Sequence, residues 1–403
     1  MHSTAAPPLP PEILLIIAKY LEPLQQVALL QVFPGITDLF NFHQFASLDE
    51  NGDTILHHLA RGNTATKDST SPSFLITLLQ SLLGSSAEGA ILHPQNLRGE
   101  TPLMEAAYAG NVPAMQLLLE KDPDGLKIVN GDGETVLWYA VYGAKAPAIA
   151  FLLDLPSVDA NHQVKANVWD DCQITPLMHA LDRREYDVAS LLIKHPKTDL
   201  TFPDHYTGET AIHLAINKGR ENLVRDMLEC GRLDINAGSS ARNWTALHKA
   251  AACRDVASIK LLLAQDGINV NCQSSSGATP LMRTRSPRVL KLLLAHPGIE
   301  VDLVDDFGWS ALGYAAERGD RGCAWVLLQH GARPDLVDLD GYTAQGRAEQ
   351  AKQWDMVKFL ESHCKPKLFS PSNSAMEHLD LSFFWAMVDA APGVILESVE
   401  GPY

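Results

Sequence analysis

The 403-residue chain reads as an all-α solenoid of about nine helix-turn-helix repeats with short β-hairpin fingers, preceded by a small helical module. Three observations predict this. A Gly-x-Thr segment followed by a short Ala-rich run recurs along most of the chain. A bulkier Leu-rich run follows each copy. Neither run can bury its apolar face alone, so the copies must stack and stability becomes a nearest-neighbour property.

The repeat is read by aligning its threonines. They fall at Thr54, Thr101, Thr135, Thr175, Thr210, Thr245 and Thr279, then at Ser310 and Thr343, with steps of 47, 34, 40, 35, 35, 34, 31 and 33 residues. A Gly two positions earlier marks a turn with positive φ. The hydroxyl residue caps a helix, and Pro102, Pro176 and Pro280 suit its first turn. A second helix follows, as in "AMQLLLE", "VASLLIK" and "SIKLLLA". A connection such as "GINVN" or "GARPDL" leads into the next finger.

Composition sets outer limits. The chain is 46% apolar and 20% charged, as expected of a folded protein. Its formal charge of -16 opposes nucleic-acid binding and electrostatic membrane anchoring. The apolar run from Ile13 to Ala18 is far short of a membrane span. It has no basic leader before it, so a signal peptide is not expected. Cys172, Cys230, Cys253, Cys272, Cys323 and Cys364 form no CxxC pair. Scattered thiols suit a reducing cytoplasm or nucleus and disfavour a disulfide framework or zinc site. The sequon at Asn243-Trp244-Thr245 is read as accidental, because Thr245 is needed as a cap.

The segment "TALHKAA" at 245–251 closely resembles the ankyrin repeat, whose signature is T-P-L-H-x-A in about 33 residues. The resemblance covers about residues 49 to 363. It implies stacked helix pairs with fingers projecting from one side, and a protein partner held on the concave face. It also implies that His57, His213 and His248, three after the aligned Thr, bond within the turn and to the neighbouring finger. No catalytic or phosphate-binding motif occurs. Neither enzyme activity, cofactor nor metal is therefore expected. Asp170-Asp171 and Asp305-Asp306 open fingers and read as solvated turns.

Some copies depart from the pattern. The first carries a Ser/Thr-rich insertion at 63–73, and the fourth has extra residues near "NHQVKANVWDD". The seventh, "TPLMRTRSPRVLKLLL", has lost about one turn of its first helix. The ninth has Gln345 in place of the usual Leu, which suits a terminal cap.

Ahead of the repeats, Pro-rich residues 1–8 are expected to be disordered. Then comes "LPPEILLIIAKYLEP". Ile13, Ile16, Ile17, Tyr20 and Leu21 share one helical face, and Pro23 is expected to end the helix. Leu9, Pro10, Glu12, Ile13, Ile16, Tyr20 and Leu21 resemble the start of an F-box. That resemblance implies a module over residues 9–45 that binds the adaptor subunit of a cullin-based ubiquitin ligase. The later part departs, with "VFPGITDLF" in place of the usual segment. The alternative is a plain ankyrin scaffold in which these helices only cap the stack.

At the other end, residues 364–403 read as a linker and an apolar helix around Met376, Leu379, Phe383 and Met387, either packed on the repeats or free to bind a partner. On the concave face, the exposed positions lie one, three and four before the aligned Thr and four after it. The early repeats place Glu50, Asp53, Arg98, Glu100, Asp132 and Glu134 there, read as acidic and solvated. The later ones place Tyr206, Trp244, Phe307, Trp309 and Tyr342 on the fingers, with Lys249, Arg283, Tyr314 and Arg347 on the helices. Aromatics beside Arg have the composition of a binding hot spot, or else of fillers between fingers. The chain is expected to act as a monomer.

Overall fold

The computed structural model of the chain describes residues 10–33, 36, 47–62, 72–84, 93–167, 170–204 and 207–364. Two helices, α1 (Pro11–Ala18) and α2 (Pro23–Val32), come first. Nine repeats follow as inner and outer helices: α3 (Ile55–Arg61) with α4 (Pro72–Gly84), α5 (Pro102–Ala109) with α6 (Val112–Lys121), and α7 (Val136–Tyr142) with α8 (Ala146–Asp154). Then come α9 (Pro176–Arg183) with α10 (Tyr186–Lys194), α11 (Ala211–Asn217) with α12 (Glu221–Glu229), and α13 (Ala246–Cys253) with α14 (Val256–Leu263). The last three are α15 (Pro280–Arg283) with α16 (Pro287–Leu294), α17 (Ala311–Glu317) with α18 (Arg321–Gln329), and α19 (Ala344–Gln350) with α20 (Trp354–Cys364).

Inner helices pack in series from α3 to α19, and outer helices from α4 to α18. The two rows differ for a steric reason. Ala106, Ala107, Ala250, Ala251, Ala315 and Ala316 are wholly covered, and their size lets successive inner helices approach closely. Leu152, Leu192, Leu262 and Leu293 fill the wider space under the outer row. Each such Leu contributes about 1.5–3 kcal/mol by burial.

The helix starts obey the aligned hydroxyls. Thr101, Thr175, Thr245, Ser310 and Thr343 accept the amide three residues on. The histidines complete the cap. Nδ1 of His57, His213 and His248 accepts the amide of Thr54, Thr210 and Thr245 at 3.0, 3.3 and 3.2 Å. The proton must then sit on Nε2. That nitrogen donates to the next finger: to the carbonyl of Glu100 at 3.0 Å, of Trp244 at 2.7 Å and of Ala278 at 2.9 Å. In the third repeat Trp138 occupies this position and donates to the His162 carbonyl.

Apart from the fourth, each finger is closed from inside by a short polar side chain at its base. The carboxylate of Asp305 accepts the amides of Phe307 and Trp309, and Asp338 those of Asp340 and Tyr342. Asn96, Asn130 and Asp49 do the same in the early fingers. Fingers are then tied to one another in a fixed register. The amides of Leu97, Gly131, Ser275, Asp306 and Leu339 donate to the carbonyls of Asn51, Arg98, Arg242, Ser276 and Phe307. Glycine at the fingertip is dictated by this approach. Gly308 has φ 78°, and a Cβ there would lie 2.9 Å from the Leu339 amide nitrogen. Asn243 takes the same left-handed turn at φ 51°.

Several expectations need correction. Among the described residues only one finger is a regular hairpin, β1 (Val164–Asn167) with β2 (Asp170–Ile174), built from the extra residues of the fourth repeat. Val304 and Ser310 form an isolated bridge. The remaining fingers are too short for a ladder once an Asn, Asp or Ser side chain has taken the inner amides. Asp305 is not a solvated turn residue; it is 6% exposed. The side chains of Asp170 and Asp171 lie outside the described residues, as do residues 63–71 of the insertion at 63–73 and everything from 365 onward; the last two residues of the insertion open α4. Pro23 does not end the first helix. That helix stops at Ala18, and Pro23 opens α2, since a missing N–H costs nothing in a first turn. The seventh repeat is shortened as expected, α15 having four residues. Arg318 of the following repeat donates to the Thr284 carbonyl at 3.2 Å, in place of the lost turn.

Burial pushes the His248 imidazole down to about 4 from its ordinary 6.5. Protonation would also aim Nδ1–H at the Thr245 amide. Between those two values the unfolded chain binds a proton that the folded chain refuses. The stabilisation is therefore complete above about 6.5 and is lost as pH falls through about 4. Replacing His248 with Ala should cost about 1–3 kcal/mol in urea denaturation at neutral pH. It should also flatten the decline in stability between these pH values.

Candidate functional site: the concave face

The concave face is assembled across the junctions between repeats. The residue just before one aligned Thr meets the residue four after the next. Glu209 pairs with Lys249. The guanidinium of Arg283 lies 5.4 Å from the Trp244 ring centre, and that of Arg347 lies 4.4 Å from Trp309. Glu100 accepts the Tyr139 hydroxyl at 2.9 Å. Chemistry that is scattered in sequence is thereby paired in space.

Toward the end of the stack these pairs interlock. Arg347 lies between Trp309 and Tyr342, its guanidinium 4.9 Å from the second ring. It holds Asp338 and Asp340 as well. Trp309 packs on Tyr314 at 5.0 Å, and the Tyr314 hydroxyl donates to Asp305 at 2.6 Å. Arg347 is thus only 8% exposed, not a free contact group. Its charge is spent on two carboxylates and two rings, so it fixes the last two fingers. Trp244 is likewise half-buried, between Arg242 and Arg283. Lys249 is mostly covered by its pairing with Glu209. Phe307, at 62% exposure, and Tyr342, at 36%, keep open faces. Tyr206 lies outside the described residues.

The early repeats are not simply solvated. Asp53 is 1% exposed, takes the Arg61 guanidinium at 3.2 Å and accepts Asn96 at 2.8 Å. Glu105 is also buried against Arg61. Asp49, Asp53 and His58 come close enough together to suggest a cation site. However, His58 already bonds Asp49 at 3.0 Å, and the charge of Arg61 sits on Asp53, which opposes a metal ion there. Beside this group a cavity of about 880 Å³ opens over the first three repeats. It was missed in the sequence because its lining comes from three separate fingers and the inner helices α3, α5 and α7. The recurrence of Glu before Thr101 and Thr135, each with Tyr seven after that Thr, was the available signal.

The N-terminal candidates divide by face. Leu14 and Ala18 are buried, whereas Ile13, Ile16, Ile17 and Tyr20 are exposed, as are Pro10 and Glu12. Leu21 is half-buried, and Leu9 lies outside the described residues. The stripe of isoleucines thus points away from the body of the protein.

A family model for ankyrin repeats matches residues 73–164, 154–239 and 283–369, and a single-repeat model matches 242–275. The chain belongs to the ankyrin-repeat family, which is typically non-catalytic and serves protein–protein interaction. It is similar to neurogenic locus notch homolog protein 1 of Mus musculus, 33% identical over 153 residues, or 38% of this chain and 6% of that protein. The Homo sapiens protein of the same name is 32% identical over 153 residues, with the same coverage. That of Xenopus laevis is 32% identical over 134 residues, 32% of this chain and 5% of the relative. The chain therefore spans only a small part of the length of the curated relatives it matches.

The Arg347 clamp can be tested directly. Arg347→Ala leaves Asp338 buried without its cation, which should cost on the order of 3 kcal/mol. Hydrogen exchange should show protection lost in residues 338–364 while the first repeats keep theirs.

Proposed function

We propose that the chain is a substrate receptor of a cullin-based ubiquitin ligase. In this reading the F-box-like segment docks the adaptor subunit, and the concave face holds the protein to be modified. One observation carries the first half. The helix α1 uses Leu14 and Ala18 for its own packing and leaves Ile13, Ile16 and Ile17 in water. An outward apolar face next to a folded stack calls for a partner. The resemblance of residues 9–21 to the F-box start is what names that partner. For the second half, Phe307 and Tyr342 offer apolar surface that the neighbouring fingers do not use.

A second reading has its own support. The helix α2 packs on α3, and Gln26, wholly buried, donates to the Ala18 and Leu21 carbonyls at 2.9 and 3.2 Å. A scaffold whose first helices only cap the stack would need that contact and nothing more. Deleting residues 1–45 should then lower the melting temperature without removing any one partner.

Pulldown of the intact chain with the adaptor separates the two. Ile13→Asp with Ile16→Asp should abolish co-purification and leave the melting temperature unchanged. Leu14→Ala should lower stability by about 2–5 kcal/mol through the cavity it creates. If the wild-type chain brings down no adaptor, the receptor reading fails. For the substrate side, Phe307→Ala should change stability by less than about 0.5 kcal/mol, as a surface substitution. It should weaken a captured partner by about 2 kcal/mol or more if the ring is a hot spot.

A further inference from the structure

We infer that the cavity over the early repeats receives a lysine ammonium from a basic stretch of the docked partner. This rests on the concave face being the docking surface, and not on the adaptor. The argument comes from comparing junctions within the chain. The carboxylate just before the aligned Thr is given a cation at some junctions: Asp53 has Arg61, and Glu209 has Lys249 from the following repeat. At the two intervening junctions with a carboxylate in this place, its close partners are neutral. Glu100 is bonded by Tyr139 at 2.9 Å and Asn96 at 2.7 Å, with Arg98 only at 4.0 Å and 81% exposed. Glu134 is bonded by Asn130 at 2.8 Å and by the Tyr142 hydroxyl. The residue at the place of Lys249 is Tyr139 in one case and His179 in the other.

His179 does not supply the charge. Burial, with Arg183 nearby, pushes its imidazole down to about 4, so it is neutral at pH 7. Burial and the facing carboxylates push the Tyr139 and Tyr142 hydroxyls up, which keeps them as donors. The cavity wall carries Asp53, Glu100, Glu105, Asp132 and Glu134 against Arg61 and Arg98, five negative charges to two positive. Tyr108 and Tyr142 add half-exposed rings, against which an ammonium is also attracted. The ammonium that Lys249 places on Glu209 shows which group this position accepts. At Glu100 and Glu134 the chain does not provide it, and the space stands open.

The test is fluorescence anisotropy of a labelled alternating Gly-Lys peptide against the full chain at about 150 mM salt, where non-local attraction to the charge of -16 is largely screened. Wild type should bind. The charge-matched control Glu120→Gln with Glu229→Gln, on outer helices, should bind equally. Glu100→Gln with Glu134→Gln should weaken binding about tenfold or more. Tyr139→Lys should weaken it as much, because its own ammonium would occupy Glu100 as Lys249 occupies Glu209. That variant decides the matter if the double Gln variant does not fold. No binding by wild type, equal weakening in the control, or undiminished binding by Tyr139→Lys would overturn the proposal. Ile13→Asp with Ile16→Asp should bind the peptide like wild type, so failure of the adaptor reading is read separately.

Discussion

Everything on the concave face depends on the register between successive fingers. An amide at one fingertip donates to the carbonyl at the tip before it, and a buried imidazole or indole at the helix start donates to the carbonyl at the base of the finger after it. The imidazole and indole bonds are buried or partly buried, so leaving one unmade would cost the desolvation of its groups, whereas the fingertip bonds lie between exposed residues and mainly set the register. They also forbid a slip. A repeat displaced by one residue would aim its N–H groups at no acceptor. The helices behind them supply most of the stabilisation by burial, but apolar contact has no direction. The fingers hold the positions; the helices hold the stack together.

Fixed register turns the concave face into a combination of neighbours. What any one finger presents is decided by the helix of the next. A Trp backed by Arg becomes a rigid half-buried plate, and a Glu backed by Lys is neutralised. A Glu backed by Tyr stays charged. The first pattern occurs in the later repeats and the last in the early ones. The two ends of the groove thus differ in charge and in apolar surface, and an extended partner would be oriented by that difference.

The shortened seventh repeat shows how such a stack tolerates damage. With only one turn in α15, carbonyls at its end lose their helical donors, and Arg318 from the next repeat bonds those of Met282 and Thr284. Burial, with Arg285 close by, holds that guanidinium below its usual value, so the repair is made with a charge that is itself incompletely compensated. Nearest-neighbour architecture makes this local: the packing of α13 on α15 and of α15 on α17 persists.

The sequence alone determined the repeat, its number and its helix starts, because capping and periodicity are local properties. Thr before an apolar run and Gly at the turn act within a few residues of themselves. The role of His57, His213 and His248 followed from the family resemblance for the same reason, since a three-residue spacing reaches its own cap. Tertiary structure decided which side chains remain for a partner. Arg347 had the composition of a contact residue, yet two carboxylates and two rings from adjacent fingers enclose it. Asp305 had the composition of a solvated turn, yet it closes a finger from within. The spacing of the isoleucine stripe of α1 did not say whether it packs; Leu14 and Ala18 pack, and the isoleucines are exposed. Some of these partners are near in the chain, as Asp338, Asp340 and Tyr342 are to Arg347, but Trp309 comes from one repeat earlier, and no local pattern encodes what a neighbouring repeat places opposite a side chain.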